Sequence, residues 1–336
     1  MMSSNSLMVS IIVPNYNYAN YLDQRINSIL NQTYQSYEII ILDDASTDDS
    51  LKVIERYRNH PKVSHVVINE ENTGKPFMQW MKGITLARGE WIWIAEADDL
   101  ALPQFLETCM KYIQMDQHAS VCYVDNLYID QNDRPLPFKY QQYSSKATIY
   151  HGPQFAQNCL YWENIIANAS GVVFRKQFAL NIKNQVFYKM RYCGDWMFWF
   201  EMALQGNVIS IHEKLNHFRQ HLSQTTKGKN NGQNFVESLK IIQYIETIFP
   251  QINNYKRKQC YGRMSRYIRH IKNQHVKENL KEVYRQELHS SLLFNYYFFK
   301  LHRHFRFIPW IMTEEKDVSI LFSATTILSA EKQPIK

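Results

Sequence analysis

Trp91-Ile92-Trp93-Ile94-Ala95-Glu96-Ala97-Asp98-Asp99 passes from wholly apolar to acidic within nine residues. Its first half reads as a strand buried on both faces, bounded by Gly89 before it and Pro103 after it. The three carboxylates that follow fall just beyond the strand's C-terminal edge, where open α/β sheets bind ligands. Clustered carboxylates repel one another unless a positive group joins them, and a hard divalent cation carrying a phosphate would do so. An acidic, solvated turn or a helix N-cap is the plainer alternative, and the buried strand in front weighs against it.

Working outward, the same grammar repeats. Leu7 to Val13 is a continuous apolar run ending at Pro14, followed by the polar, aromatic turn Asn15-Tyr16-Asn17-Tyr18. Tyr21 to Leu30 has helical spacing; Tyr37 to Leu42 is a second buried strand, and it ends in Asp43-Asp44-Ala45-Ser46. A helical pattern over Leu51 to Tyr57, a strand over Val63 to Ile68, the turn Asn72-Thr73-Gly74-Lys75 and a helix near Phe77 to Ala87 lead back to the opening stretch. A helix from about Pro103 to Met115 and a strand over Ser120 to Val124 follow. Strands alternating with helices at this spacing predict a largely parallel, doubly wound sheet. Beyond it the pattern is irregular to about Tyr150, with Asn132 to Pro135 as a hairpin turn; short strands are expected at Val172 to Phe174 and Val208 to Ile211, with an aromatic helix between them at Trp196 to Leu204. Lys227 to Gly232 reads as a loop, and helical periodicity returns from about Phe235 to Leu301, with no internal repeat.

The totals bound the function classes. A chain of 336 residues, 45% hydrophobic and 14% aromatic, can bury one α/β domain with an extension and is not a disordered chain. Five scattered cysteines (109, 122, 159, 193 and 260) with no CxxC pair favour neither a disulfide framework nor a zinc site, and a reducing cytosol fits. Met1 to Met8 lacks the features of a signal peptide, and no apolar run approaches the ~18 residues that span a bilayer. Residues 251–306 hold 13 Lys/Arg against 3 Asp/Glu, a surplus of +10 that leaves −3 for the rest of a chain whose total is +7. A basic, aromatic tail of this kind predicts an anionic membrane face as its partner, with a solvated extension or oligomer contact as the alternative. No nucleic-acid motif accompanies it, so nucleic acid is not an expected partner. There is no GxGxxG and no GxxxxGK[ST] either; with carboxylates after strands two and four instead, the ligand is expected to be a nucleotide held through its base and a metal.

In order, Val9 to Asn17, Ser28 to Tyr34, Glu38 to Asp48, Asn72-Thr73-Gly74, Ala87 to Ile92 and Glu96-Ala97-Asp98-Asp99 resemble the motifs of a family 2 glycosyltransferase of the nucleotide-sugar-dependent GT-A type, over about the first 220 residues. The resemblance implies a GT-A fold, a Rossmann-like, mostly parallel sheet flanked by helices with a helical C-terminal extension. The domain would span 1–226, with a nucleotide half of about 1–100 and an acceptor half of about 101–226, and the basic extension 233–336. It implies that Pro14 and Tyr16 line the base and ribose, that Asp44, with Asp43 beside it, holds the uracil edge, that Lys75 lies near the nucleotide, and that Asp98 lies near the ribose and donor sugar. Asp99 is expected on the metal, Mg²⁺ or Mn²⁺, with Glu96 and His221 as further ligands; Glu96 departs from the aspartate the motif has there. Asp195, in Gly194-Asp195-Trp196 ahead of the aromatic helix, is expected as the general base, a role worth roughly 10²–10⁴-fold. His217 to Thr226 resembles the closing loop, with Phe218 where the family has tyrosine, and places Arg219 or His221 near the departing diphosphate, with Ser223 keeping the spacing.

The expectation is an inverting, non-processive enzyme that moves one sugar from a nucleotide sugar, a UDP-sugar first, to a hydroxyl of a glycan or lipid-linked acceptor in bacterial surface polysaccharide assembly. The setting would be cytoplasmic, with the inner face of the plasma membrane open to the basic tail. Two alternatives stand beside it. A nucleotidyltransferase would show a glycine-rich, basic loop after strand one, where Asn15-Tyr16-Asn17 lies. A catalytically silent carbohydrate- or partner-binding protein would turn Asp195 into its own helix.

Overall fold

The computed structural model describes residues 7–138, 143, 145–221 and 232–305, with backbone only at 303–305. They form two compact units, one from residues 7–155 and 166–221, the other from 156–165 and 232–305.

The first unit is built on one sheet. Its strands are β1 (Val9–Asn15), β2 (Tyr37–Asp43), β3 (Val63–Ile68), β4 (Trp91–Ile94), β5 (Leu100–Ala101), β6 (Ala119–Ile129), β7 (Ala147–Tyr150), β8 (Val172–Arg175) and β9 (Asn207–Arg219). Their order is β3-β2-β1-β4-β8-β6-β9-β5, with β7 also on β9. The sheet is parallel through β3-β2-β1-β4, as the alternating pattern predicts. Beyond β4 it is mixed: β8 runs antiparallel to both β4 and β6, and β6 and β9 are parallel.

The apolar runs are continuous because both faces are covered. Val9, Ile11, Val13, Trp91 and Trp93 face one core with Leu22, Ile26 and Ile29 of α1 (Ala19–Leu30) and Phe105, Leu106 and Cys109 of α4 (Phe105–Gln114); α2 is Ser50–Tyr57. On the other face Ile12 meets α3 (Pro76–Leu86) so closely that a Cβ on Gly83 would stand 2.5 Å from Ile12 Cγ2. There Trp80 packs on Phe198 and Trp199 of α7 (Gly194–Ala203), and Phe174 packs on the same two rings. Two short helices, α5 (Gly152–Phe155) and α6 (Lys176–Leu180), complete this unit.

Two strands outrun their expected ends. β6 continues past Val124 to Ile129, and the turn at 130–134 follows, with Asp130 Oδ1 accepting from the amides of Asn132 and Arg134. β9 continues past Ile211 to Arg219, so the start of the segment expected as a closing loop is strand. Residues 222–231, Ser223 among them, lie outside the described residues.

The second unit holds α8 (Gln233–Ile248), α9 (Asn254–His270), α10 (Gln274–Leu288) and α11 (Leu292–Phe305), the helical extension expected from periodicity. Gly262 lets α9 press on α11, since a Cβ there would lie 2.3 Å from Asn295 O. Glu246 accepts from the hydroxyls of Tyr161 and Tyr261 at 2.6 and 2.8 Å. The apolar segment from Arg306 to Trp310 lies outside the described residues.

Candidate active site

The chain leaves β1, β2 and β4 at the same edge of the sheet, and the acids gather there. After β4, Ala95 N–H still pairs with Ile12 O at 2.7 Å, and Glu96 N–H donates to Ser170 Oγ at 3.1 Å. The next residues turn back, and β5 pairs antiparallel with the end of β9. Glu96, Asp98 and Asp99 are thereby brought together, each offering an oxygen within 4.8 Å of the others. Asp99 is held from two sides: Oδ1 accepts from the main-chain N–H of Arg219 at 2.8 Å, and Oδ2 from Asn168 Nδ2 at 2.7 Å. Asp98 Oδ2 lies 2.9 Å from His221 Nε2.

Packing acids together in a buried place raises their pKa. Burial, then Asp98, Asp99 and Asp195, push the Glu96 carboxyl well above its ordinary range, with Arg25 opposing. Burial and then Asp98 raise Asp99 to about 7, against Arg25, the Arg219 N–H and Asn168. The same three acids, after burial, raise the phenol of Tyr18. Tyr18 and Tyr21 flank His221, with ring centroids 5.7 and 5.5 Å away.

Two arginines meet this cluster in different ways. The Arg219 guanidinium is built into the fold: Nε donates to Asp98 O at 2.6 Å, Nη2 to Gln24 Oε1 at 3.0 Å, Nη1 to Asp133, and the group lies over the Tyr21 ring. The side chain is 1% exposed. The closing-loop expectation of Arg219 near the leaving diphosphate meets a side chain engaged within the fold at the end of β9. Arg25, which sequence reading passed over, is fully buried, 4.8 Å from the Trp93 ring centroid, with no hydrogen-bond acceptor at Nε, Nη1 or Nη2 among the described residues. Burial lowers its pKa to about 10, while Asp99, Asp98 and Glu96 pull it back up. It remains charged at neutral pH and faces the acids without touching them.

The nucleotide side is ordered by two interlocked turns. Asn17 and Ala45 both have φ near +60°, a region that costs a residue bearing a Cβ roughly 1–2 kcal/mol. Asp43 holds the second turn, accepting from Ser46 N–H, Ser46 Oγ and Asn15 Nδ2 at 2.6 to 2.8 Å. Its carboxylate therefore has a structural task, whatever it offers a ligand. Asp44, 6% exposed, accepts from Asn69 Nδ2, Thr73 N–H, Thr73 Oγ1 and Gln79 Nε2. Pro14 ends β1, Tyr16 is exposed on the first turn, and Lys75 is exposed ahead of α3, where Gly74 adopts φ +59°.

Asp195 opens α7. Glycine precedes it because a Cβ on Gly194 would lie 2.4 Å from the Phe77 ring. Asp195 Oδ1 accepts from Trp196 N–H at 2.8 Å, and its charge is among those that raise Glu96. Asp195 lies in the first turn of α7, where its carboxylate satisfies one of the helix's leading N–H groups and its charge acts on the acid cluster. Trp196 is 6% exposed and packs in the core, as do Trp80, Trp91 and Trp93, so Trp196 is no exposed platform for a sugar.

Asn168 and Ser170 are the supports that sequence reading missed. Ser170 O accepts from Trp93 Nε1 at 2.7 Å while its hydroxyl holds Glu96 N–H, and Asn168 Oδ1 accepts from Ser170 N–H while its amide donates to Asp99. Asn168→Ala is expected to cost about 1–3 kcal/mol in urea denaturation, because a buried carboxylate oxygen loses its donor.

The sequence profile of glycosyl transferase family 2 matches residues 10–181, more than half of the chain. The chain belongs to that family. The glycosyltransferase is 25% identical over 244 residues to an uncharacterized glycosyltransferase of Haemophilus influenzae, a match covering 68% of this chain and 71% of that protein. It is 34% identical over 125 residues to chondroitin synthase of Escherichia coli, covering 37% of this chain and 18% of that much longer protein. Among solved structures it resembles S. aureus TarS 1-349: the complex with UDP superposes with TM-score 0.57 at 19% identity over 77% of this chain and 70% of that one. The complex with UDP-GlcNAc gives 0.58 at 16% identity over 89% and 92%. At these identities the likeness is one of fold. The family assignment sets aside the nucleotidyltransferase alternative.

Proposed function

We propose that the glycosyltransferase moves a single sugar from a UDP-sugar to a hydroxyl of a glycan or lipid-linked saccharide, with inversion at the anomeric carbon, in the assembly of a bacterial surface polysaccharide. The observation that carries this reading is the gathering of Glu96, Asp98 and Asp99 at the switch edge of the sheet, with Asp195 acting on the same cluster. TarS, which shares the fold, has been solved with UDP and with UDP-GlcNAc, which favours a uridine nucleotide.

Asp44, Pro14 and Tyr16 would take the base and ribose, with Lys75 beside them. Asp195 takes the proton of the acceptor hydroxyl as its oxygen attacks the anomeric carbon; the bond from that carbon to the diphosphate oxygen breaks, and UDP leaves on the opposite face. Of the two residues of the closing segment, His221, 2.9 Å from Asp98, would face the diphosphate, with Arg219 as the second candidate.

The cluster fits a hard divalent cation, since its donors are carboxylate oxygens within one ion's reach and they repel one another without one. Mg²⁺ or Mn²⁺ would be held by Asp98 and Asp99 with Glu96 and His221 as further ligands, and when bound it supplies charge stabilisation to the leaving diphosphate. Asp99 enters that set already oriented by Asn168 and the Arg219 amide. Stability should report the ion without any turnover. At about pH 8 a saturating Mn²⁺ concentration is expected to stabilise the protein by about 2.7 kcal/mol at 100 times Kd. The gain should shrink towards about pH 5.5, where protons compete for the carboxylates, and vanish in Asp98→Asn.

The deciding experiment offers Mn²⁺, a panel of UDP-sugars and other nucleotide sugars, and saccharide acceptors, reading product mass and nucleotide release. Absence of both donor binding and turnover across the panel defeats the proposal; turnover with a different nucleotide sugar alone defeats the uridine assignment. No helix among the described residues is long and apolar enough to cross a membrane. A cytoplasmic setting is proposed from the free cysteines, which suit a reducing compartment.

A further inference from the structure

Leu293, Phe294, Tyr297 and Leu301 of α11 are each more than half exposed, at 59, 54, 53 and 57%. At 3.6 residues per turn these four and the exposed Lys300 fall within an arc of about 120°. The opposite side of the helix is the one that packs: Leu292 and Asn295 are buried, and Asn295 O meets Gly262 of α9. The stripe is rimmed by cations. Lys258 Nζ lies 5.3 Å from the Phe294 ring centroid and 5.7 Å from that of Phe298, and the Arg269 guanidinium lies 4.1 Å from that of Tyr296. α9 carries six Lys/Arg and α11 two, and neither helix contains an acid. Elsewhere in this unit Glu278 and Glu282 are paired with Lys281 and Arg285, and Glu163 with Arg263.

An apolar stripe of this size in a cationic frame has one complement that matches along its whole length. We propose that this face of α11 lies on an anionic lipid surface, with the aromatic and leucine side chains at the acyl boundary and Lys258, Arg269 and Lys300 at the headgroup phosphates. Pairing with a second copy through the same face would be isologous and would set the acid-free α9–α11 pair against itself, like charge on like charge. The inference goes beyond the transfer reading and stands or falls without it, because its assay contains no donor and no acceptor.

The test is co-sedimentation of the full chain with vesicles of phosphatidylglycerol and phosphatidylcholine against vesicles of phosphatidylcholine alone. The expected result is at least about tenfold stronger binding to the anionic vesicles, with the preference lost near 1 M salt, where the screening length falls to about 3 Å. Serine at Leu293, Phe294, Tyr297 and Leu301 together should weaken binding by about tenfold or more, with circular dichroism unchanged. A second variant, Lys258→Glu with Lys300→Glu, should remove the anionic preference. Equal binding to the two vesicle types, undiminished binding of both variants, or a serine variant that turns a dimer into a monomer while still binding vesicles would each overturn the proposal.

Discussion

Asp195→Asn is expected to lower glycosyl transfer by roughly 10²–10⁴-fold while leaving UDP binding within about twofold of the parent. The substitution is well suited to the question because it separates the two tasks of the residue. Asparagine keeps a side-chain oxygen at the same reach, so the hydrogen bond to Trp196 N–H is kept. What is lost is a basic oxygen in the neighbourhood of Glu96. Unchanged helix content and nucleotide affinity with lost transfer would mark Asp195 as the base. Transfer at parental rates would show that Asp195 is not the base, its hydrogen bond to Trp196 N–H being a local structural contact. Glu96 offers an internal control, since Asp195 raises its pKa: the asparagine variant should show a lower pH for the Glu96 transition whether or not transfer survives.

The second large effect concerns Arg25. Arg25→Met keeps the length of the stem and removes the charge, and at about pH 8 it is expected to cost about 3–5 kcal/mol of stability, as when one partner of a buried charge set is withdrawn. The pH dependence identifies the cause. Asp99, raised to about 7 in the native state from an ordinary value of 3.8, holds a proton that the unfolded chain has already released. Native stability therefore falls as pH rises through roughly 4 to 7 and levels off above. Arg25 holds Asp99 and Glu96 down; without it both pKa values rise, the window widens upward, and the loss of stability grows with pH. Urea denaturation in EDTA at about pH 5.5 and about pH 8 should show a small deficit at the first and the full deficit at the second. A deficit of equal size at both would mean that Arg25 acts only by filling space beside Trp93.

Much of this site was legible because buried strands leave a clear trace. β1, β2 and β4 are wholly or almost wholly buried, so each appears as an unbroken apolar run that ends where polar residues begin, and those polar residues are the ones at the site. The ends of β6 and β9 left no such trace. Their pairing shifts register at Val124/Asp125 and Asp125/Asn126, and the bulged stretch carries Asp125 and His212-Glu213-Lys214 on partly exposed positions, which breaks the alternation a strand would show. That missed extension is the reason the bonds of the Arg219 side chain within the fold were not expected from the sequence. Arg25 had a readable signal: Leu22, Arg25, Ile26 and Ile29 lie at helical spacing, so a charge stands on the buried stripe of α1. Asn168 had none, since a lone asparagine in a turn acquires meaning only when the fold brings Asp99 to it.

Asp99 is braced on one side by an amide of the main chain. Every amino acid except proline supplies that donor, so the brace on Asp99 comes from the path of the chain at 219, while the arginine side chain holds Asp98 O, Gln24 and Asp133. The precision of this corner is stored in the pairing of β5 with β9, a feature of chain path that substitution does not erase and that only an insertion, a deletion or a proline in that ladder would dislodge.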